Sequence, residues 1–386
     1  MSEDNKSTPP KLKPPQAPLG SKAASINNSG ASKPSTSTSS GAGAPKPIAA
    51  INSLKYTRAD YKGLPSTLCT GCGHDSITNQ IIGALYQSDI SPYDIVKLSG
   101  IGCSSKTPAY FLNQAHGFNS IHGRMAPVSL GVHLAKSQLK LIGVSGDGDT
   151  ASIGLGGFVH MIRRNIPIVY IIANNGVYGL TKGQFSATAD LNHKTKTGEA
   201  NAFSSIDTCR MALDLGCGFV ARGFSGDMKQ MVALLSAALR YNGTAVIDVI
   251  SPCVTFANHD GSTKSYDYAK EHLSAYQEVE FLPYSEIQKV DYSEGEIKEI
   301  MWPDGSQLLL KKATSDLSQF NDPDASIKAL REAEKVGQIL TGLFMCKQNL
   351  EPLQKRKNYV DDLSLLSDED VRIPKDRFNS FIAQFS

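Results

Sequence analysis

Five short apolar runs, at residues 95–98, 139–144, 168–173, 219–222 and 245–250, constrain this chain more than anything else in it. None alternates polar with apolar, so each reads as a strand buried on both faces, the mark of a parallel sheet. Most are followed by a glycine- or asparagine-rich turn, and segments of helical period fill the intervals at 74–86, 126–135, 151–163, 209–214 and 227–240. Strands alternating with helices build an α/β fold with a doubly wound, mostly parallel sheet. Ligands of such sheets sit beyond the carboxyl ends of the strands, so the loops after Leu98, Val144, Ala173 and Ile250 are where chemistry belongs.

Three regions follow. Residues 1–53 are Ser, Pro, Ala, Gly and Lys with few large apolar side chains and cannot offset their ordering entropy, so a disordered tail is expected. The α/β domain occupies 54–260. Residues 261–386 form a C-terminal extension that packs on the core or on another subunit: 287–311 alternates like a hairpin around Pro303, Asp304 and Gly305, and 325–345 has a helical look. With 39 basic and 37 acidic residues the net charge is +2, which leaves no footprint for nucleic acid or an anionic membrane. No apolar run approaches the ~20 residues of a membrane span, and no apolar signal core opens the chain. A cytoplasmic protein is expected.

The loop after Val144 reads Gly146-Asp147-Gly148-Asp149, and the loop after the next strand reads Asn174-Asn175-Gly176-Val177-Tyr178. One crossover brings Asp147 and Asn175 to the same sheet edge. A hard divalent cation takes oxygen ligands in octahedral array and usually shares them with phosphate. Asp147, the Asn175 side chain and the Val177 carbonyl supply three such oxygens, and the glycines let phosphate approach the backbone. The helix starting near Ala151 directs its N-terminal dipole at the same place. Gly-Asp-Gly alone is a common turn, but with 26 residues between Gly148 and Asn175 it resembles the thiamine diphosphate motif of that cofactor's superfamily.

Seven cysteines in a chain this long do not suggest a disulfide framework. Cys69 and Cys72 form a CxxC pair before the first helix, Cys103 follows the first strand and Cys253 the last. Zinc remains open for these four, although structural zinc sites commonly draw on two close pairs; an iron-sulfur cluster with four corners tolerates dispersed ligands. Cys209, Cys217 and Cys346 stand in apolar surroundings and read as core.

Taken in order, Cys69-Thr-Gly-Cys72-Gly73-His74, Gly100-Ile-Gly102-Cys103-Ser104-Ser105-Lys106, His122-Gly-Arg124, Gly146-Asp-Gly-Asp149, Tyr178-Gly179-Leu180-Thr-Lys182-Gly-Gln184 and Ser251-Pro-Cys253 resemble the beta subunit of 2-oxoacid:ferredoxin oxidoreductases over about residues 64–260. The resemblance implies that Cys69, Cys72, Cys103 and Cys253 hold one 4Fe-4S cluster, and that Asp147, Asn175 and the Val177 carbonyl hold Mg2+ on thiamine diphosphate. Gly102, Ser104, Ser105, His122, Gly146, Gly148, Asp149, Tyr178, Gly179 and Leu180 would line the cofactor. In that family a 2-oxoacid is oxidatively decarboxylated, coenzyme A takes the acyl group, and electrons pass through the cluster to ferredoxin. Lys106, Arg124 and Lys182 are candidates for orienting an anion; a loop lysine is as often merely solvated. His74 and His122 are possible contacts or structural residues. Ala187 departs from the family pattern, which more often has proline there.

Thiamine enzymes also need a glutamate from a second domain. The residues before Leu64 are too few and too polar to fold into one, so an alpha subunit, or a fused gamma-alpha chain, is expected as partner. 2-Oxoglutarate is the favoured substrate and pyruvate the next. Two other readings stay open: a non-oxidative thiamine diphosphate-dependent decarboxylase or synthase subunit, and a zinc-stabilised assembly module without catalysis.

Overall fold

The computed structural model describes residues 50–282, 297–302, 306–311, 322–348, 350–356 and 359–385. Strands form where the five apolar runs predict them, as β1 (Ile95–Ser99), β3 (Lys140–Gly146), β4 (Ile168–Asn174), β7 (Phe219–Phe224) and β8 (Thr244–Ile250), and also where no run marked one, as β2 (His116–Asn119) and the short β5 (Val177–Tyr178) and β6 (Gln184–Phe185). Later strands are β9 (Leu273–Ala275), β10 (Glu278–Leu282), β11 (Ile297–Met301), β12 (Gln307–Lys311) and β13 (Ile339–Cys346). The helices that concern the site and its support are α1 (Gly73–Gln87), α2 (Met125–Ala135), α3 (Leu155–Arg164), α4 (Thr208–Asp214), α5 (Met228–Arg240), α6 (Tyr266–His272) and α7 (Pro323–Lys335).

The main sheet has eight strands in the order β2-β1-β3-β4-β8-β7-β13-β9. It is parallel from β2 through β7; β13 runs antiparallel to β7. Every residue of β4, β7 and β8 is buried, because helices cover both faces. Successive side chains leave a strand on opposite faces. Thus Val169, Ile171 and Ala173 join a core with Ile77 and Ile81 of α1 and Leu234 of α5, while Tyr170 and Ile172 join one with Met125 of α2, Phe158 of α3 and Leu213 of α4. Burying each large aliphatic side chain contributes about 1.5–3 kcal/mol. Registers such as Ser99↔Val144, Gly146↔Ala173 and Asn174↔Ile250 bring the carboxyl ends of β1, β3, β4 and β8 into one row, which carries the loops of interest.

Three expectations change. The helical look of 325–345 covers a helix and a strand: α7 ends at Lys335, Gly337 turns the chain with φ +71°, and the apolar run at 339–346 becomes β13. A short apolar run fits a helix or a buried strand equally, and only its pairing with β7 decides. The helix expected from Ala151 begins at Leu155, preceded by a π-helical turn over Gly148–Ile153, so the Gly-Asp-Gly segment itself enters the turn. Of the hairpin expected over 287–311, residues 287–296 and 303–305 lie outside the described residues; the rest pairs as β11 and β12, with β10 on the other side of β12. The expected tail lies outside them up to residue 49, but Asn52 Nδ2 donates to Tyr61 Oη at 2.8 Å, placing residue 52 on the folded part. Among the described residues no helix is long and apolar enough to cross a membrane.

Candidate functional site

Asp147 closes β3 and is 1% exposed. Its Oδ2 accepts from Ser186 Oγ and from Thr188 Oγ1 at 2.7 Å, and its Oδ1 from the Asn175 N–H at 3.3 Å. Burial nonetheless pushes its carboxyl above the usual range, with those three donors opposing the rise. A cation beside it would favour the ionised form. Asn175, just past β4, points its Oδ1 at the Val177 N–H at 3.1 Å, which bends the chain into the β5–β6 hairpin. That hairpin folds Ser186 and Thr188 back onto Asp147. A buried carboxylate and an amide oxygen on adjacent strand ends match the hard oxygen donors of a phosphate-bound Mg2+.

Asp149 has a different job. Its Oδ1 accepts from His122 Nδ1, from the Gly123 N–H at 2.6 Å and from the Ile101 N–H at 3.3 Å; its Oδ2 accepts from Ser145 Oγ at 2.7 Å. With donors on both oxygens, this carboxylate ties the loops after β1 and β2 to the turn after β3. The turn is also closely packed. A Cβ on Gly100 would sit 1.7 Å from Asp149 Oδ2, and one on Gly148 would sit 2.5 Å from the Tyr178 ring, whose hydroxyl donates to Gly148 O at 3.2 Å.

The loops of Cys69, Cys72 and Cys253 are tied together by hydrogen bonds. Cys72 N–H donates to Cys69 O at 3.0 Å, and Gly73 N–H to Pro252 O at 3.2 Å, linking the CxxC turn at the head of α1 to the loop of Cys253. His74 Nδ1 lies 2.7 Å from Ser251 Oγ, and Thr255 Oγ1 reaches Cys69 Sγ at 3.6 Å. A single point, the Cβ position of Gly179, is 3.5 Å from Cys103 Sγ and 3.8 Å from Cys253 Sγ. Burial, followed by the charges of neighbouring sulfurs, raises the Cys72 thiol to about 11; burial and Cys253 raise Cys103. As bare thiols these groups stay protonated, and a metal centre is what would ionise them. Among the described residues no three His, Cys, Asp or Glu side chains converge closely enough to share one ion. Cys209, Cys217 and Cys346 are buried in the cores, away from this group.

One cavity of 90 Å3 joins the two arrangements. Gly102, Ser104, His122, Gly146 through Asp149, Asn175, Val177 and Tyr178 through Leu180 line it, together with Cys103 and His74. Such a volume accepts the phosphate end of a cofactor but not the whole of one, since enclosing pockets run to ~300–1,000 Å3. Ser105 lies outside the lining, its hydroxyl turned to Gly102 O at 2.6 Å. Lys106, Arg124 and Lys182 do not line it either. Lys106 is half-buried one turn beyond Cys103; Arg124 is exposed, its Nη1 on Gly123 O at 3.2 Å; Lys182 is exposed at φ +81° beside a separate 820 Å3 cavity. Ala187 donates its N–H to Ser152 Oγ at 3.1 Å, a bond that proline could not make.

Sequence reasoning overlooked Ser186 and Thr188. The Ser-Ala-Thr triplet was visible, but its meaning depends on a hairpin only two residues long on each side.

Residues 100–249 match the family model described as thiamine pyrophosphate enzyme, C-terminal TPP binding domain. Over 199 residues the chain is 41% identical to the 2-oxoacid:ferredoxin oxidoreductase subunit beta of Saccharolobus solfataricus, covering 51% of this chain and 65% of that one. It is 35% identical over 204 residues to the 2-oxoglutarate synthase subunit KorB of Methanocaldococcus jannaschii, covering 53% and 74%. Among solved structures, the 2-oxoglutarate:ferredoxin oxidoreductase of Magnetococcus marinus, determined with 2-oxoglutarate, coenzyme A and succinyl-CoA bound, superposes with a TM-score of 0.61 at 26% identity over 85% of this chain and 96% of that one.

Proposed function

This chain belongs to the family of 2-oxoacid:ferredoxin oxidoreductase beta subunits, and from that premise we propose that it is the subunit that binds thiamine diphosphate through Mg2+ and holds a 4Fe-4S cluster for electron transfer to ferredoxin. The observation that carries the proposal is the position of Gly179. Its backbone lines the cavity of Asp147 and Asn175, and a single atom added to it would touch both Cys103 and Cys253. One residue separates the phosphate cradle from the thiols, a spacing suited to passing electrons between a cofactor and a cluster.

In this reading Asp147, the Asn175 side chain and the Val177 carbonyl hold the cation, and Asp149 fixes the loops around it. Cys69, Cys72, Cys103 and Cys253 hold the cluster. One close cysteine pair and two cysteines from separate loops suit a centre with four iron corners better than structural zinc, which commonly draws on two close pairs. When bound, thiamine diphosphate supplies the carbanion-stabilising chemistry of 2-oxoacid decarboxylation and the cluster a one-electron outlet. His74, buried and held neutral with its imidazole lowered to about 4 by burial, lines the cavity as an uncharged polar group.

The small cavity, the exposed apolar Leu180 that lines it and the exposed Ile121 beside His122 in the chain support a partner that completes the site, an alpha or fused gamma-alpha subunit. The substrate reading is CoA-dependent oxidation of a 2-oxoacid, 2-oxoglutarate first and pyruvate second, because KorB relatives and the Magnetococcus enzyme carry 2-oxoglutarate in their names. A cytoplasmic setting goes with ferredoxin as acceptor.

The test is the complex coexpressed with its partner and purified without oxygen. Iron, acid-labile sulfide and thiamine diphosphate should be present, and viologen reduction should depend on 2-oxoglutarate and coenzyme A. Cys103→Ala and Cys253→Ala should lose the iron while Cys209→Ala keeps it. A native complex with neither iron nor sulfide would overturn the electron-transfer reading.

A further inference from the structure

Behind Asp147 runs a line of buried polar groups. Thr188 Oγ1 lies 2.7 Å from Asp147 Oδ2 and 2.9 Å from Asn174 Oδ1. Asn174 Nδ2 donates to Asp248 Oδ1 at 3.0 Å, and Arg222 Nε donates to Asp248 Oδ2 at 3.1 Å. Arg222 Nη2 also reaches Asp207 Oδ1 at 2.7 Å, and Asp207 caps α4 through the Arg210 N–H at 3.0 Å. Asp147, Asp248 and Thr188 are each 1% exposed, Asn174 4% and Arg222 8%.

The proton positions follow from which groups can only accept. Asp248, paired with Arg222, is an acceptor, so the Asn174 amide must present its nitrogen there and its oxygen to Thr188. Ser186 Oγ accepts from the Thr188 N–H at 3.3 Å and lies 3.1 Å from Thr188 Oγ1, and because a carboxylate oxygen can only accept, its one proton goes to Asp147 Oδ2. The Thr188 proton is shared between Asp147 Oδ2 and Asn174 Oδ1. Two hydroxyls therefore occupy Oδ2, whereas among the described residues Oδ1 has only the 3.3 Å contact from the Asn175 N–H. Oδ1 is the oxygen with lone-pair capacity to spare.

We propose that Ser186 and Thr188 are positioning residues that fix Asp147 as a one-oxygen ligand, through Oδ1, for the divalent cation, and that the Arg222–Asp248–Asn174 line holds Thr188 in place behind it. The proposal rests on the reading of Asp147 as the cation ligand. Its physical basis is that Mg2+ demands near-ideal octahedral geometry, so a carboxylate free to rock between one- and two-oxygen binding loses affinity. Partners that orient a metal ligand are typically responsible for 10–100-fold in metal affinity.

The complex with its partner subunit, stripped of cation and cofactor, would be titrated with Mg2+ in the presence of thiamine diphosphate and followed by calorimetry. Thr188→Val should raise the half-saturating Mg2+ concentration by about 10–100-fold, with iron content unchanged, and Thr188→Ser should restore native saturation. Ser186→Ala should weaken binding in the same direction, and it carries the test should Thr188→Val fail to fold. Native Mg2+ saturation in Thr188→Val, or in Ser186→Ala where that variant carries the test, overturns the proposal; so does Thr188→Ser binding as weakly as Thr188→Val, which would make Thr188 a packing residue. Asp147→Asn separates the two readings. Native Mg2+ binding in that variant removes Asp147 as a ligand altogether, whereas loss there beside native binding in Thr188→Val removes the positioning role alone.

Discussion

Asp147 and Asp149 stand two residues apart in one turn, both nearly inaccessible to solvent, and replacing them should have opposite consequences. Asp149→Ala strips the acceptor from the Gly123 and Ile101 N–H groups, from Ser145 Oγ and from His122 Nδ1. His122 is 32% exposed at its side chain and can turn to water; Gly123 and Ser145 are buried. Ser145 Oγ keeps Gly146 O at 3.3 Å, and the two N–H groups left without a partner cost about 1–3 kcal/mol each, about 2–6 kcal/mol together. At about 1.5 °C per kcal/mol for a folded unit this large, the unfolding midpoint should fall by about 3–9 °C. Asp147→Asn removes a charge whose burial already disfavours ionisation, and it keeps an oxygen for Ser186 and Thr188. Without cofactor, its midpoint should match or exceed the native one. With Mg2+ and thiamine diphosphate the native complex should gain the stability that ligand linkage provides, and Asp147→Asn should gain none. Thermal unfolding of both variants, with and without cofactor, decides the matter. An Asp149→Ala variant as stable as native, or a cofactor-free Asp147→Asn that unfolds as early as Asp149→Ala, would refute the division of labour between clamp and ligand.

Gly148→Ala forces a methyl to within 2.5 Å of the Tyr178 ring and should weaken thiamine diphosphate binding by about 5- to 150-fold, the 1–3 kcal/mol typical of overpacking, whereas Gly179→Ala meets sulfurs at 3.5 and 3.8 Å and should fold normally with an altered cluster spectrum. Calorimetry and electron paramagnetic resonance read the two. Arg222→Leu leaves Asp248 without its cation in the interior and Asp207 with Arg210 alone, and should cost about 3–5 kcal/mol in chemical denaturation, while Arg210→Ala, with the exposed Glu334 as one partner, should cost roughly 1 kcal/mol or less. Burial first, and then its stacked neighbour His259, hold the His193 imidazole below its ordinary range. The unfolded chain takes up that proton as pH falls and the folded one resists it, so stability should decline from about pH 7 to about pH 5. His193→Gln should flatten this slope in denaturation at several pH values.

How much of this was legible beforehand depends on whether the signal is local. The apolar runs that became β1, β3, β4, β7 and β8 needed no tertiary information, because a strand covered on both faces is predominantly apolar. The distance from Asp147 to Asn175 was equally plain, since one crossover fixes which strand ends are neighbours. The run at 339–346 was not, because its apolar residues serve a helix or a strand and only β7 selects between them.

Composition, periodicity and spacing thus determined the layered α/β sheet, the edge that carries the site, and the carboxylate, amide and thiols brought to it. The tertiary structure alone decided that Asp149 is spent on loop hydrogen bonds, that Ser186 and Thr188 address one oxygen of Asp147, and that Lys106, Arg124 and Lys182 lie off the cavity. The reason is that a hydrogen bond is directional over about 3 Å. Its partners come from loops far apart in the chain, and no one-dimensional pattern records which atoms those loops turn toward one another.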